Sequence, residues 1–130
     1  MEKYHYGIRQ EDRLAGALSA LGYTTWYSPG SRGPADLSAE RGGRRLLIQV
    51  KAVATATRRI KNNDNATAWE VMRERMSNSE FIRLHQMADR AGRMSAAALA
   101  NGDRYWLWVR YARGEYELLH HDWLSDRLVR

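Results

Sequence analysis

Three polar side chains in the first half of the chain are spaced so that they could act together on a phosphate. Residues 45–51 are mostly apolar and predict a buried β-strand that carries Gln49 and Lys51 near its end. Side chains in a strand alternate between its two faces, so Gln49 and Lys51 share one face and Val50 lies on the other. An amide and an ammonium beside an apolar strand are costly unless a polar partner meets them. Asp36, upstream of the strand, could supply that partner directly or through a metal ion.

This order of residues is the layout of metal-dependent phosphodiesterases. Hydrolysis of a phosphodiester needs a divalent ion, a deprotonated water and cations for the developing charge. Mg²⁺ prefers oxygen ligands, which Asp36 offers as a carboxylate, Gln49 as an amide and Val50 as a backbone carbonyl. Lys51 would orient the attacking water or stabilise the pentacoordinate phosphate. The alternative is that Asp36 is a solvated loop residue and that Gln49 and Lys51 lie on an open sheet face.

Glu11 is a candidate for a second metal-binding carboxylate. Leucines recur at helical spacing in residues 7–21, which predicts a helix, and Gly22 fits its C-terminal end. Glu11 lies three positions before Leu14 and therefore projects on the side of the apolar stripe. We expect it either at a solvated helix end or facing a polar cleft.

The remaining segments predict a single α/β domain over residues 1–130, with a mixed sheet of about five strands flanked by helices. Strands are expected at residues 23–27, 35–39, 45–53, 104–110 and 115–120, with turns at 41–44 and at Arg113-Gly114. Helices are expected at residues 66–76 and 79–91, with a short alanine-rich helix at 94–101 and a helical turn at 122–128. Residues 54–65 lack periodicity and predict a mobile basic loop.

Composition excludes several classes of protein. With 130 residues and 44% hydrophobic content the chain is expected to form one domain, and no apolar run approaches the length of a membrane span. It has no cysteine, which excludes disulfides and thiolate metal sites. The polar N-terminus does not resemble a secretory signal, and we expect a cytoplasmic protein.

Charge points to a polyanionic partner. The net charge is +6, and residues 41–63 hold seven arginines and lysines without an acidic residue. Arginine dominates, and its planar fork suits phosphate oxygens. Nucleic acid is the expected partner, and a compositional bias towards arginine is the alternative.

Several motifs resemble those of one nuclease family. They are Gly7 with Glu11-Asp12-Arg13-Leu14, then Leu21-Gly22-Tyr23, Ser28-Pro29-Gly30-Ser31, Ala35-Asp36-Leu37 and Leu47-Ile48-Gln49-Val50-Lys51. This pattern resembles the archaeal-type Holliday junction resolvases of the PD-(D/E)XK superfamily, which also occur in some phages. The resemblance covers residues 7–53 and extends loosely to the hairpin at residues 106–120. It implies a restriction-endonuclease-like fold and a homodimer that makes paired Mg²⁺-dependent nicks in four-way DNA junctions, with Mn²⁺ as a possible substitute.

The resemblance also implies roles for individual residues. Glu11 matches the helix glutamate of the family, Ser31 the loop serine near the scissile phosphate, Asp36 the metal-binding aspartate and Lys51 the motif lysine. Gln49 stands where the family normally has glutamate, which removes a negative charge from the metal site but leaves an oxygen ligand.

Two further positions depart from the family pattern. Asp12 stands where the family has an arginine directly after the helix glutamate, and Arg13 is the nearest substitute, turned by roughly 100° around the helix. Tyr27 stands where an arginine is common.

Other side chains are assigned to DNA or to the dimer. The expected phosphate-binding residues are Arg13, Arg32, Arg44, Arg45, Arg58, Arg59 and Lys61, for which a solvated basic face is the alternative. The four histidines lack the spacing of metal ligands. Aromatic residues alternate along the hairpin formed by residues 104–120, so one set is expected in the core and the other at a dimer interface, with base stacking as the alternative. These residues are Tyr105, Trp106, Trp108 and Tyr116.

The sequence therefore predicts a homodimeric junction-resolving endonuclease with no small-molecule cofactor and no membrane association. A restriction- or repair-type nuclease of the same superfamily is the nearest alternative. A DNA-binding protein whose nuclease site has decayed, as Gln49 suggests, is the alternative of another class.

Overall fold

A six-stranded mixed sheet organises the structure, a computed structural model that describes residues 2–27, 35–61 and 64–123, with backbone alone for 2–9, 122 and 123. The strands lie side by side in chain order, and all neighbours are antiparallel except the parallel pair β3–β4. The elements are α1 (Glu2–Ala20), β1 (Thr24–Tyr27), β2 (Leu37–Arg41), β3 (Arg44–Val53), α2 (Asn65–Arg75), α3 (Asn78–Arg90), β4 (Met94–Asn101), β5 (Arg104–Ala112) and β6 (Glu115–Trp123). The predicted mixed α/β sheet is confirmed.

The prediction of a short helix over residues 94–101 is wrong, because this segment is the central strand β4. It pairs with β3 on one side and with β5 on the other, so the sheet has six strands rather than about five. Alanine favours helix in isolation, but the backbone groups of a segment between two strands are satisfied by ladder hydrogen bonds. Its alanines are fully buried, which lets helices approach both faces of the sheet closely.

The two faces of the sheet carry separate apolar clusters. Leu14 and Leu18 of α1 pack against the face that includes Ile48 and Val50. Residues of α2 and α3 pack against the opposite face, which includes Leu47. The predicted alternation along β3 is therefore confirmed, and each fully buried leucine contributes about 1.5–3 kcal/mol.

The expected exposed row of aromatics on the late hairpin is wrong. Tyr105 lies in the cluster under α1, and Trp106 and Trp108 lie in the cluster under α2 and α3. Both aromatic sets are buried within one chain because helices cover β5 on both faces. A dimer interface formed by one of these sets is excluded.

The helix boundaries follow local signals. Helix α1 begins at Glu2, earlier than expected, and ends before Gly22, whose φ of 94° is the left-handed value that glycine adopts readily. Helix α3 begins at Asn78, one residue before the expected start, because Ser77 and Glu80 form a capping box. No helix among the described residues is long and apolar enough to span a membrane.

The turns and the chain end also differ in part from expectation. The turns at 41–44 and at Arg113-Gly114 are present, and residues 54–61 contain neither helix nor strand. The expected helical turn at 122–128 is wrong at its start, because Asp122 and Trp123 belong to β6. Its remainder lies outside the described residues.

Candidate active site

The antiparallel pairing of β2 with β3 brings Asp36 to the segment that carries Gln49 and Lys51. Leu37 is paired with Ile48, and the backbone N–H of Asp36, just before β2, donates a 2.8 Å hydrogen bond to the Ile48 carbonyl. The pairing therefore places the Asp36 side chain beside Gln49 and Val50. This is the convergence that the sequence predicted.

The Asp36 carboxylate is held by β3 itself. Its Oδ2 accepts hydrogen bonds from Gln49 Nε2 at 3.0 Å and from the Val50 backbone N–H at 2.8 Å. Burial raises the pKa of Asp36, and the Val50 N–H and the Lys51 ammonium oppose that rise only in part. A carboxyl group in this position gains from a nearby cation, because a cation offsets the cost of desolvating the charged form.

The Gln49 amide lies between two of the oxygens that the sequence predicted as metal ligands. Its Nε2 is 3.0 Å from Asp36 Oδ2 and 3.4 Å from the Val50 carbonyl oxygen, and its side chain is buried. In this orientation the amide hydrogens bridge the two oxygens. To act as a ligand, Gln49 has to turn its Oε1 towards Asp36, which replaces an attractive contact with a repulsive one unless a cation lies between the two oxygens.

Glu11 of α1 faces the same site. Its pKa is raised to about 7, first by burial, then by the negative charge of Asp36 and of Asp12. A carboxylate whose pKa is raised by a neighbouring carboxylate gains from a divalent cation placed near both. The structure therefore places the predicted second carboxylate on the side of the helix that faces Asp36.

The donor set fits a hard divalent cation with few protein ligands. No group of three or more histidine, cysteine, aspartate or glutamate side chains within residues 10–27, 35–61 and 64–121 is arranged to hold a metal. The candidate site has instead two carboxylates, the amide oxygen of Gln49 and the carbonyl of Val50. All four are oxygen donors, and a small number of protein oxygens is usual for Mg²⁺, which keeps several waters.

Lys51 forms an ion pair that the sequence did not predict. Its Nζ donates to Glu80 Oε2 at 2.9 Å, and about a quarter of each side chain is exposed (27% and 28%). Burial opposes ionisation of Glu80, but hydrogen bonds from Lys51 and from the Ser77 backbone outweigh it and hold the pKa of Glu80 below its usual value. The capping box could be recognised from Ser77 and Glu80 in the sequence, but nothing in their spacing indicates the contact with Lys51.

The two positions that depart from the resolvase pattern at 12 and 27 contact each other. The Tyr27 hydroxyl donates a 2.5 Å hydrogen bond to Asp12 Oδ1. Burial, followed by this bond and the charge of Asp12, raises the pKa of Tyr27 to about 12. An acid and a phenol thus pair at two positions where the resolvase pattern has arginine, always expected at position 12 and common at position 27.

Most of the predicted DNA-binding residues lie in the described part of the chain. Arg13 is bonded to Asp103 at 3.2 Å, Arg45 to Glu40 at 3.2 Å and Arg58 to Glu74 at 3.3 Å. Arg44 and Arg59 remain exposed without a carboxylate partner among those described, and Lys61 is exposed with its charge acting on Asp64. Ser31 and Arg32 lie outside the described residues. The role of Ser31 near the scissile phosphate and the DNA-binding roles of all the basic residues stay predictions.

A second polar cleft lies at the other end of β3. Tyr23, Arg41, Arg44 and His120 line a space of about 280 Å³. The Tyr23 hydroxyl and His120 Nε2 are 3.1 Å apart, and burial, then Arg44 and Arg41, lower the pKa of His120. Arg44 and Lys51 are seven positions apart in β3, which is about 23 Å along the strand. The sequence prediction named Arg44 as a DNA-binding residue, but not the other three.

Comparison with known proteins finds a likeness of fold. No protein-family model and no curated protein matches the sequence. The structure is similar to that of Archaeoglobus fulgidus Hjc, a Holliday junction resolvase from an archaeal hyperthermophile. The TM-score is 0.58 and the identity 21%, over 79% of this chain and 76% of the resolvase. The likeness confirms the fold that the sequence motifs predicted.

Proposed function

We propose that this chain is a metal-dependent endonuclease that cuts four-way DNA junctions by paired nicks. One observation carries the proposal: Asp36 is hydrogen-bonded to Gln49 and Val50, beside Lys51, within the fold of a Holliday junction resolvase. The fold alone does not assign an activity, but the convergence of these side chains matches the chemistry of phosphodiester hydrolysis. A metal-dependent nuclease is therefore the function best supported by the site.

The residues divide into metal ligands and a phosphate-binding cation. Glu11, Asp36, Gln49 Oε1 and the Val50 carbonyl would hold Mg²⁺, for which Mn²⁺ could substitute. When bound, the ion polarises a phosphoryl oxygen and lowers the pKa of a water. Lys51 provides an ammonium beside Asp36 that can bind a phosphate oxygen and orient the attacking water.

The basic residues supply contacts to the DNA backbone. Arg44, Arg59 and Lys61 are exposed and can bind phosphates without reading bases. A homodimer with two such sites related by a two-fold axis would match the symmetry of a four-way junction. The dimer, the cytoplasmic location and the absence of a small-molecule cofactor are parts of this proposal.

Cleavage of a labelled synthetic four-way junction tests the proposal, with linear duplex of the same sequence as control and Mg²⁺ or Mn²⁺ as the ion. Paired symmetric nicks in the junction alone are expected, and they should disappear in Asp36→Ala and in Lys51→Ala. Each variant is expected to lose at least about 10²-fold in rate, because each removes charge stabilisation at the phosphate. Folding of the variants is checked by circular dichroism and thermal unfolding.

Two other outcomes separate the alternatives. Equal cleavage of linear duplex would indicate a restriction- or repair-type nuclease of the same fold. Tight junction binding without cleavage under either ion would indicate a binding protein. Gln49 is the observation that favours this last alternative, because its amide bridges two expected ligands.

A further inference from the structure

Gln49 places no negative charge beside Lys51, but a carboxylate from another element of the fold does. In the resolvase pattern a glutamate lies two residues before the lysine, on the same face of the strand. Here that position is a neutral amide engaged with Asp36. The Lys51 ammonium instead contacts the carboxylate of Glu80 at 2.9 Å, from the first turn of α3.

The two oxygens of Glu80 have different partners. Oε1 accepts from the Ser77 backbone N–H at 3.2 Å and lies 3.3 Å from Ser77 Oγ, so it closes the capping box of α3. Oε2 accepts from Lys51. The orientation of the carboxylate is therefore set by the start of the helix, and the oxygen left over is directed at the lysine.

The start of α3 is itself anchored on the sheet. Leu84 and Ala88 of this helix are buried in the cluster that includes Leu47 of β3 and Ala97 of β4. Lys51 is attached to β3, so its ammonium and the Glu80 carboxylate are carried by two elements packed on each other. A flexible four-carbon side chain that would otherwise sample several rotamers is thus held at one place.

Lys51 interacts with two negative groups. Its charge acts on Asp36 as well as on Glu80, because it opposes the rise of the Asp36 pKa. The contact with Glu80 therefore holds the ammonium at a place where its charge also acts on Asp36, one of the predicted metal ligands.

We propose that Glu80 is a positioning residue that fixes the Lys51 ammonium at the site and supplies the negative charge beside Lys51 that Gln49 lacks. This inference rests on the proposed nuclease function. Glu80 acts through Lys51 and is not assigned any contact with the DNA or with a metal ion.

Glu80→Gln is the informative variant, and Ser77→Ala is its matched control. The glutamine keeps an oxygen for the Ser77 N–H but loses the charge that holds Lys51. Ser77→Ala weakens the cap and leaves the Lys51–Glu80 pair in place. Both variants are expected to lower the melting temperature, so stability alone does not distinguish them.

The distinguishing measurement is single-turnover junction cleavage with saturating Mg²⁺, beside junction affinity. Glu80→Gln should lose about 10- to 100-fold in rate with unchanged affinity, because small displacements of a catalytic group have effects of this size. Ser77→Ala should stay within about threefold of wild type, because it changes no group near the phosphate. Equal rates for the two variants would overturn the proposal.

A double variant tests whether Glu80 supplies the charge that Gln49 lacks. The Gln49→Glu variant restores a negative charge beside Lys51 on β3. In that variant, Glu80→Gln should therefore lower the single-turnover cleavage rate clearly less than it does in wild type. The same loss in both backgrounds would overturn this part of the proposal. A thermal-unfolding cycle of Lys51→Met with Glu80→Gln in metal-free protein checks the contact without catalysis, and additive melting shifts would contradict it.

The outcomes separate this inference from the proposed function. A wild-type protein that cuts no DNA overturns both. A wild-type protein that cuts junctions and loses activity in Asp36→Asn, while Glu80→Gln matches Ser77→Ala, overturns only the role of Glu80.

Discussion

Gln49 gives the predicted metal site a stable arrangement without an ion. A glutamate at this position would place a second carboxylate directly against Asp36, whereas the amide donates to Asp36 and approaches the Val50 carbonyl. The residue therefore stabilises the metal-free protein and weakens the attraction for a cation. At the scale of single residues, the balance between these effects decides whether the site is active.

Gln49→Glu should shift stability towards the metal-bound protein. Without metal the variant is expected to unfold more easily by about 1–3 kcal/mol, because a hydrogen bond becomes a contact between buried acids. With millimolar Mg²⁺ its melting temperature should rise more than that of wild type, because a ligand stabilises the folded state more when it binds that state more tightly. Differential scanning fluorimetry with EDTA or Mg²⁺ measures both effects.

Gln86→Glu, on the exposed side of α3, adds the same charge away from the site and serves as the control. A Mg²⁺-induced shift in Gln49→Glu no larger than in Gln86→Glu would contradict the assignment of Gln49 as a metal ligand.

Glu11 should make the metal-free protein less stable as pH rises. Its pKa is raised from 4.5 to about 7 in the folded state, so between these values the folded protein keeps a proton that the unfolded chain releases. The stabilisation is complete below pH 4.5 and is lost as pH rises through about 7. Because Glu11 is substantially solvated, we expect its protonation to contribute about 1–2 kcal/mol to the free energy of unfolding, which is less than the full pKa shift would give.

Unfolding by urea in EDTA across this pH range measures the effect. Glu11→Gln should show a flatter profile than wild type, with a remaining slope from Asp36, whose pKa is also raised. Glu70→Gln, on the exposed side of α2, should follow wild type. Parallel profiles for wild type and Glu11→Gln would refute the burial of this carboxylate beside Asp36.

At the scale of elements, a glycine with positive φ closes each of the two tight turns that join the last three strands. Gly102, between β4 and β5, has φ of 64°, and Gly114, between β5 and β6, has φ of 73°. Both values favour glycine. The turns differ in their surroundings, because a Cβ at Gly102 would lie 2.6 Å from Thr55 Cγ2, whereas nothing lies within 4 Å of one at Gly114.

Gly102→Ala should therefore destabilise the protein more than Gly114→Ala. The second variant carries only the backbone cost, about 1–2 kcal/mol, and the first adds a steric cost of about 1–3 kcal/mol. Equilibrium urea unfolding gives both values. Thr55→Ser removes the clashing methyl group, so with this change Gly102→Ala should lower the free energy of unfolding about as much as Gly114→Ala does. If the two glycine variants are equally destabilised while Thr55 is still present, residues 54–61 move aside without an energetic cost and the steric prediction is wrong.

At the scale of the whole molecule, positive charge is distributed unevenly around the candidate site. Arg58 is paired with Glu74, whereas Arg59 is exposed and pairs with no carboxylate of the described residues. Arg44 lies at the other end of β3 with Arg41 and His120. Under the proposed function, a DNA duplex that runs along β3 would contact both regions.

Arg59→Gln and Arg44→Gln should each reduce the salt dependence of junction binding. Loss of one phosphate contact lowers the slope of log K against log salt by about 0.9. Arg58→Gln should lower it less, because Glu74 already balances part of its charge. Fluorescence anisotropy over a range of salt concentrations measures the slopes, and an unchanged slope in Arg44→Gln and Arg59→Gln would place the DNA elsewhere.

The sequence by itself determined the features that depend on near neighbours. The two-residue period of β3 put Gln49 and Lys51 on one face. Gly22 ended α1, and the apolar spacing of α1 directed Glu11 towards the core. The polar end of β3 called for a partner such as Asp36, the resolvase motifs added the fold, and the structure places Asp36 beside Gln49.

Only the tertiary structure decided the features that depend on distant partners. Residues 94–101 became β4 because two neighbouring strands satisfy their backbone, which outweighs the helix preference of alanine. Both faces of β5 are buried because helices from distant parts of the chain cover them. Glu80 reaches Lys51 because α3 packs on β3, and no spacing within either segment encodes that contact. Local order follows from local chemistry, but the partner of a charged side chain is chosen by the packing of whole elements.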